Sequence, residues 1–283
     1  MHIVATSRTI NLAGMINQKI DGTLHEVEKK RFPDGEMYVR INGSLYQKEV
    51  TVVGNTNNEE ELLELQFILD AVKEQKPSGI TVLVPYFGYA RQHMVYKPGE
   101  AISARVIMNQ ISEGVQKIVT VNIHDTYSFK FTNTECEDLH VSRDIAKKHK
   151  NNSIQLVMAP DDGAYKLAKE VGEVLGCNSS FMNKKRIDST TVQYDMDHVD
   201  AKGLNVLLVD DIISTGGTIL RSSEIIRKSG ASKIFVSAVH GLFINSSDVK
   251  INEVCHGLSV TNTLTSRYNT IDISESLGAY LRR

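Results

Sequence analysis

A chain of 283 residues, 41% of them hydrophobic, is long enough for one large domain or two of ordinary size with buried cores. Charged residues make up 23% and the formal net charge is -2, which argues against a nucleic-acid-binding protein because such proteins normally carry an excess of basic residues. No apolar run reaches the about 18 residues that a membrane-spanning helix needs, so none is predicted.

The N-terminus and the cysteines bear on cellular location. Residues 1–5 predict a buried strand and lack the charged head and apolar middle of a signal peptide. Cys136, Cys177 and Cys255 are odd in number, far apart and without metal-binding spacing. We therefore expect reduced thiols in a cytoplasmic protein.

Strand-like and helix-like segments alternate along the chain. The short runs that are apolar enough for strands buried on both faces are 80–84, 117–123, 154–159, 206–209 and 233–239. Amphipathic patterns between them predict helices at 58–75, 103–113, 141–150, 164–175 and 217–229. This alternation predicts βαβ units in an α/β fold with mainly parallel sheets.

A short repeat indicates two domains. Gly, Lys, Ile and His recur at a constant offset, first as Gly114, Lys117, Ile118 and His124 and then as Gly230, Lys233, Ile234 and His240. Together with the number of predicted strands, the repeat predicts two similar α/β domains, residues 1–139 and 140–283. The last helical segment, 274–281, is also compatible with a return to the first domain.

The strongest motif covers residues 206–218, where a buried strand leads through two acids into a loop and then a helix. Gly216 and Gly217 let the backbone approach a ligand closely. The loop N–H groups and the helix N-terminus would point at an anion, and hydroxyl groups add further donors from Ser214, Thr215 and Thr218. The loop is therefore predicted to bind a monophosphate.

Asp210 and Asp211 are predicted at the carboxyl end of the strand, where ligands bind in open α/β sheets. Two carboxylates would repel a polyphosphate, but they accept hydrogen bonds from vicinal hydroxyls, so a sugar phosphate with a cis-diol suits the motif. The alternative is an ordinary strand–turn–helix with a solvated acid pair. It is less favoured because strand, acid pair and glycine-rich turn occur in the order that such a site requires.

Residues 206–218 resemble the phosphoribosyl diphosphate motif shared by type I phosphoribosyltransferases and ribose-phosphate diphosphokinases (PRPP synthetases). Two further segments favour the second family. Residues 31–36 and 84–92 resemble its ATP-contacting segments, although alone they would predict a hairpin turn and a packed loop. The resemblance implies that ATP is bound by Asp34, Gly35, Glu36, Arg91 and Gln92.

The resemblance extends along the whole chain and is strongest to archaeal members. It implies that His124 and Asp161 lie near Mg²⁺, although a lone histidine is more often structural and Mg²⁺ prefers oxygen. Residues 183–186 are similar to the mobile catalytic loop, with Lys184 and Arg186 in its basic positions, although alone they read as a solvated charge run. Ribose 5-phosphate would be bound by Arg186, Asp210, Asp211, Ser214, Thr215, Gly216, Gly217 and Thr218.

The implied fold is two type I phosphoribosyltransferase-like domains, the first binding ATP and the second ribose 5-phosphate. The implied reaction transfers the diphosphoryl group of ATP to the 1-hydroxyl of the sugar. Two alternatives stay open: a phosphoribosyltransferase that attaches a base, and a catalytically silent regulatory subunit. Family members are oligomers in which the 34–36 loop can complete a neighbour's ATP site, so we expect at least a homodimer.

Some positions depart from the family pattern. His93 stands where many members carry an acid, and the residues after His124, beginning with Asp125, differ from the bacterial form. Asp162 replaces a residue that is commonly small. These departures bear on regulation and on some metal contacts.

Overall fold

The computed structural model describes residues 1–182, 184–186, 192–194 and 200–283, with the backbone alone for 184–186 and 192–194. In chain order the strands are β1 (His2–Ala5), β2 (Thr23–Leu24), β3 (Val27–Arg31), β4 (Met37–Ile41), β5 (Glu49–Val53), β6 (Gly79–Val84), β7 (Lys117–Val121), β8 (Glu135–Leu139), β9 (Leu156–Ala159), β10 (Asn178–Phe181), β11 (Lys184–Arg186), β12 (Val192–Tyr194), β13 (Asn205–Ile213), β14 (Lys233–Gly241), β15 (Gly257–Thr261) and β16 (Asn269–Ile271).

Eight α-helices and two short 3₁₀ helices connect the described strands. The α-helices are α1 (Ile10–Ile20), α2 (Glu59–Glu74), α3 (Ser103–Ser112), α4 (Ser142–His149), α5 (Tyr165–Leu175), α6 (Gly217–Lys228), α7 (Ser247–Val254) and α8 (Ser274–Leu281). The 3₁₀ helices are Thr126–Phe131 and Ile244–Ser246. No helix in the described part of the chain is long and apolar enough to cross a membrane.

The described residues divide into two compact units. The first contains Met1–His140 and Ser274–Arg283, and the second contains Val141–Ile273. Helix α8 thus belongs to the first unit, where it packs on α1. The Tyr280 hydroxyl donates to Glu137 Oε2 at 2.6 Å, and the Lys117 ammonium lies 3.0 Å from the same oxygen. These contacts hold the C-terminal helix against β7 and β8.

Each unit is built on a six-stranded sheet whose described pairings are all parallel. The strand order is β2-β1-β5-β6-β7-β8 in the first unit and β10-β9-β13-β14-β15-β16 in the second. The interior strands are apolar on both faces because helices cover both, as is usual in parallel sheets. Antiparallel pairs β3–β4 and β11–β12 are additions to this pattern.

The sequence repeat does not correspond to the structural duplication. It aligns β7 with β14, whereas by sheet order β7 corresponds to β15 and β14 to β6. The two histidines also differ, because His124 is exposed after the end of β7 while His240 is buried within β14. The two similar sheets support the predicted fold, but the short repeat is a coincidence of sequence.

A buried histidine in the second unit gives a test of its packing. His149 Nε2 lies 2.7 Å from Ser237 Oγ and 3.1 Å from Ser259 Oγ, and the Asn152 amide faces Nδ1 at 2.9 Å. Burial, aided by the Lys148 charge, lowers the pKa of His149 from 6.5 to about 4. The histidine is therefore neutral in the folded protein at neutral pH.

Acid should destabilise the protein through His149. Between pH 6.5 and about 4 the unfolded chain takes up a proton at this residue and the folded protein does not, so stability falls as pH falls. The full loss is about 3 kcal/mol. Urea unfolding measured across this range should show a shallower pH dependence for His149→Gln than for the wild type. Equal pH dependence in the two proteins would contradict the assignment.

Candidate functional site

The loop between β13 and α6 has the geometry of an anion-binding cradle. Gly216 stands just before the helix with φ 77° and ψ -4°, in the left-handed region that favours glycine. The first N–H groups of a helix have no partner within the helix, and its dipole favours negative charge there. A Cβ at Gly217 would meet no atom within 4 Å, so the space beside this residue is open.

A neighbouring segment fixes the shape of this loop. The Ser214 carbonyl accepts from Ile244 N at 3.0 Å and from the buried Ser247 hydroxyl at 2.9 Å. The Ile213 carbonyl accepts from Leu242 N at 2.9 Å. Both carbonyls are therefore engaged by residues 242–247, which leaves the N–H side of the loop to face a ligand.

The acid pair precedes this loop, and the strand that carries it continues two residues further than predicted. β13 continues to Ile213 because β14 beside it also continues, pairing Asp210 with Ala238 and Ile212 with His240. Asp210 and Asp211 are therefore the sixth and seventh residues of a nine-residue strand. Both are half-buried, and Asp211 N donates to Asp210 Oδ1 at 2.9 Å.

A third carboxylate lies near this pair. β9 is the neighbour of β13, and Asp161 follows β9 at the same edge of the sheet. Burial raises the pKa of Asp210 well above its ordinary value, and the charges of Asp211 and Asp161 raise it further. The second unit thus brings together Asp161, Asp210 and Asp211, as well as the loop residues Ser214, Thr215, Gly216, Gly217 and Thr218.

The corresponding position in the first unit does not form such a cradle. By sheet order β5 corresponds to β13, and it leads into α2. There Asn58 caps the helix by accepting from Glu61 N at 3.1 Å, and Glu59, Glu60 and Glu61 occupy the first turn. A side-chain cap and three acids oppose anion binding at the N-terminus of α2, unlike the N-terminus of α6.

The first unit carries the predicted ATP-binding residues and His124, in three places. Asp34, Gly35 and Glu36 form the exposed turn of the β3–β4 hairpin, with Gly35 at φ 94° and Asp34 Oδ1 accepting from Glu36 N at 3.1 Å. Arg91 and Gln92 follow β6, and Arg91 is exposed. The Gln92 amide donates to Met94 O at 3.0 Å and faces Glu100 Oε2 at 3.3 Å.

The third place is the exposed loop after β7, which carries His124. The residue before it, Ile123, donates its N–H to Asp138 Oδ1 at 2.9 Å, and Asn122 N donates to Leu139 O at 3.0 Å. Both bonds tie the loop to β8. Among the described residues, no group of three or more His, Cys, Asp or Glu side chains is arranged to hold a metal ion.

Lys184 and Arg186 lie on β11, of which the backbone alone is described, and Asn183 lies outside the described residues. The backbone of β11 pairs antiparallel with that of β12, with Lys184 opposite Tyr194. Their predicted roles rest on the sequence.

Known protein families match both parts of the chain. Residues 1–114 match the family model described as the N-terminal domain of ribose phosphate pyrophosphokinase, and residues 134–247 match the phosphoribosyl transferase domain. The chain is 38% identical over 281 residues to the ribose-phosphate pyrophosphokinase of Thermoplasma acidophilum, covering 99% of this chain and 98% of the relative. It is 40% identical over 255 residues to that of Thermococcus kodakarensis, covering 89% and 90% of the two chains.

The chain belongs to the ribose-phosphate pyrophosphokinase family. The crystal structure of phosphoribosylpyrophosphate synthetase from Mycobacterium smegmatis has the same fold, with a TM-score of 0.87 at 24% identity over 99% of this chain and 97% of that one. The predicted fold class, two similar phosphoribosyltransferase-like α/β domains, is confirmed.

The structure adds residues that had no predicted role. Glu100 accepts from Tyr96 N at 2.8 Å and Lys97 N at 2.9 Å, and these bonds lower its carboxyl pKa. Asp138 holds the His124 loop, and Ser247 holds the loop between β13 and α6. An isolated acid or serine in a sequence carries no signal for such a role, because its partner lies far away along the chain.

Alanine substitutions at two neighbouring glycines should have different effects on the free energy of unfolding. Gly216→Ala should lower the free energy of unfolding by roughly 2–3 kcal/mol, because φ is positive and the new Cβ would lie 2.8 Å from Ser247 Cβ. Gly217→Ala meets no atom and should leave stability unchanged or slightly raised. Urea unfolding of the two variants checks this, and equal stability losses would refute the described loop.

Neutralising Asp210 should stabilise the unliganded protein. The raised pKa means that ionising Asp210 costs free energy in the folded state, a cost that grows as pH rises from the unfolded pKa through the folded one. Asp210→Asn should therefore raise stability by roughly 1 kcal/mol at neutral pH. The gain should vanish below about pH 4, where both states are protonated. Thermal unfolding at the two pH values measures it, and destabilisation at neutral pH would contradict the electrostatic account.

Proposed function

We propose that this chain transfers the diphosphoryl group of ATP to the 1-hydroxyl of ribose 5-phosphate, giving 5-phosphoribosyl 1-diphosphate and AMP. The observation that carries the proposal is the identity along nearly the whole chain to ribose-phosphate pyrophosphokinases. The acid pair next to an anion cradle is the chemistry that a sugar phosphate acceptor requires.

The sugar phosphate is assigned to the second unit. The 5-phosphate accepts hydrogen bonds from the loop N–H groups and from the hydroxyls of Ser214, Thr215 and Thr218 at the start of α6. The ribose 2- and 3-hydroxyls donate to Asp210 and Asp211. These hydroxyl donors stabilise the ionised carboxylates of Asp210 and Asp211 and so offset part of the repulsion among the three neighbouring acids. Binding of the diol is therefore favoured by the carboxylates that it stabilises.

The nucleotide is assigned to residues of the first unit. Arg91 is exposed and its guanidinium suits phosphate oxygens, while Gln92 is held by Met94 and Glu100. The exposed turn with Asp34, Gly35 and Glu36 is assigned to ATP from the family resemblance. In an oligomer this turn can serve a neighbouring copy, which supports the proposal of at least a dimer.

Mg²⁺ fits the acids of the second unit. The ion prefers oxygen ligands, and it commonly uses one or two carboxylates together with substrate phosphates. Asp161 is the proposed ligand in this unit, and His124 is the proposed neighbour of Mg²⁺ in the first. When bound, Mg²⁺ neutralises phosphate charge.

The basic residues Lys184 and Arg186 are assigned to the transferred group. Phosphoryl-group transfer depends mainly on positioning and on neutralising the charge that develops on the moving group. Two cations near that group supply this neutralisation, and Arg186 also contacts the sugar phosphate in this proposal.

A cytoplasmic location, expected from the cysteine pattern, is a further part of the proposal.

The reaction is tested by mixing the protein with ATP, Mg²⁺ and ribose 5-phosphate without any base. AMP and 5-phosphoribosyl 1-diphosphate should form in equal amounts, and omitting the sugar phosphate should abolish AMP release. A phosphoribosyltransferase would release no AMP here. A silent regulatory subunit would bind both substrates without turnover. Either result would refute the proposed reaction.

Lys184→Ala should lower kcat by about 100-fold or more, because it removes a charge that acts on the transferred group, while calorimetry should show ribose 5-phosphate still binding. Lys185→Ala is the matched control, since the resemblance gives Lys185 no role, and its kcat should stay near that of the wild type. Equal turnover in Lys184→Ala and the wild type would remove the role assigned to Lys184.

A further inference from the structure

Two loops at one edge of the first sheet are joined through His93. One loop follows β6 and carries Arg91 and Gln92 immediately before His93. The other follows β7 and carries His124 immediately before Asp125. His93 Nε2 lies 3.2 Å from Asp125 Oδ2. The contact therefore connects the residues next to the proposed nucleotide ligands with the residue next to the proposed metal neighbour.

We propose that His93 and Asp125 form a positioning pair that fixes the Arg91–Gln92 segment relative to the His124 loop for nucleotide binding. This inference rests on the proposed function, because it takes Arg91 and Gln92 as ATP-binding residues. Neither His93 nor Asp125 needs to touch the nucleotide. The pair acts by holding the two loops in one arrangement before ATP binds.

His93 is suited to this task because its ring is buried and both of its nitrogens have partners. The side chain is only 10% exposed, and Nδ1 lies 3.2 Å from Ala90 O. One nitrogen thus holds the ring to its own loop and the other reaches the second loop. Removing Asp125 would leave a buried polar atom without its partner, which is costlier than losing an exposed contact.

Asp125 is held on the opposite side of the contact. Its Oδ1 accepts from Tyr127 N at 2.8 Å, which caps the 3₁₀ helix Thr126–Phe131. Ile123 N is bound by Asp138 on β8. His124 therefore lies between two anchored residues, one tied to β8 and the other to His93. The His93–Asp125 contact is the anchor that reaches the Arg91–Gln92 loop.

The test measures binding of the Mg²⁺ complex of α,β-methylene-ATP by calorimetry, because this analogue cannot be cleaved at the reacting bond. His93→Leu and Asp125→Asn should each weaken binding about 5- to 10-fold. Asp125→Asn retains an oxygen that can cap Tyr127 N and removes the carboxylate charge that faces His93, so its effect reports that charge and not the cap. The affinity of the double variant for the analogue should equal that of the single variant with the lower affinity. His93→Gln, whose amide can still donate to Asp125, should bind within about 2-fold of the wild type.

His25→Leu is the matched control. His25 is also a buried histidine of the first unit with both ring nitrogens engaged, by His2 and by Asn42 O. Its replacement should lower the melting temperature without changing affinity for the analogue. The KM for ribose 5-phosphate should stay unchanged in all His93 and Asp125 variants, which separates positioning of the nucleotide from general damage.

Wild-type affinity in His93→Leu and Asp125→Asn, or losses that add in the double variant, would overturn the positioning role while leaving the reaction itself intact. If the wild-type protein makes AMP and 5-phosphoribosyl 1-diphosphate but the analogue binds equally well to His93→Leu, only this inference fails. If the wild-type protein does not bind the analogue, the nucleotide assignment and the pair's role both fail.

Discussion

The site in the second unit depends on one constraint, the parallel pairing of β9 with β13. Parallel neighbours end at the same edge of a sheet, so Asp161 after β9 is brought close to Asp210 and Asp211 on β13. Burial raises the pKa of Asp210 well above its ordinary value, and repulsion by the neighbouring carboxylates Asp211 and Asp161 raises it further. A folded protein keeps such a cluster where hydrogen-bond donors or a cation from a ligand offset the repulsion.

The cradle beside these acids is shaped by strain as well as by glycine. Phe243, Asn245 and Ser246 all have positive φ values of 50–57°, which non-glycine residues rarely adopt. They belong to the segment 242–247 that engages the Ile213 and Ser214 carbonyls. Unfavourable backbone conformations persist where surrounding contacts enforce them, and they cluster at functional sites. Here the hydrogen bonds to the Ile213 and Ser214 carbonyls accompany the strained backbone, and they give the loop its shape without a ligand.

Much of this architecture could be predicted from the sequence. Apolar runs gave the interior strands and amphipathic runs gave the helices, because burial on two faces or one face leaves a periodic signal. In α2 the apolar spacing predicts that Leu62, Leu65, Leu69 and Val72 share one face, and the last three are buried while Leu62 is half-buried. The order of strand, acids, glycines and helix was also sufficient to locate the cradle, since these features are contiguous in the chain.

What the sequence could not provide are relations between distant segments. The extension of β13 to Ile213 depends on its neighbour β14, and no property of residues 210–213 alone signals it. The short repeat misled because four matching residues carry less information than the order of strands in a sheet. Likewise His93 and Asp125, or Ile123 and Asp138, become partners only after folding. Such pairs decide how site residues are held, which local patterns cannot reveal.

The account stands on the cradle as the place where the sugar phosphate binds, and a crystal structure of the protein with ribose 5-phosphate tests this most directly. The account predicts the 5-phosphate at the N-terminus of α6, within hydrogen-bonding distance of the N–H groups of residues 215–218, and the ribose hydroxyls on Asp210 and Asp211. A structure with the sugar phosphate bound elsewhere and this loop empty would contradict it.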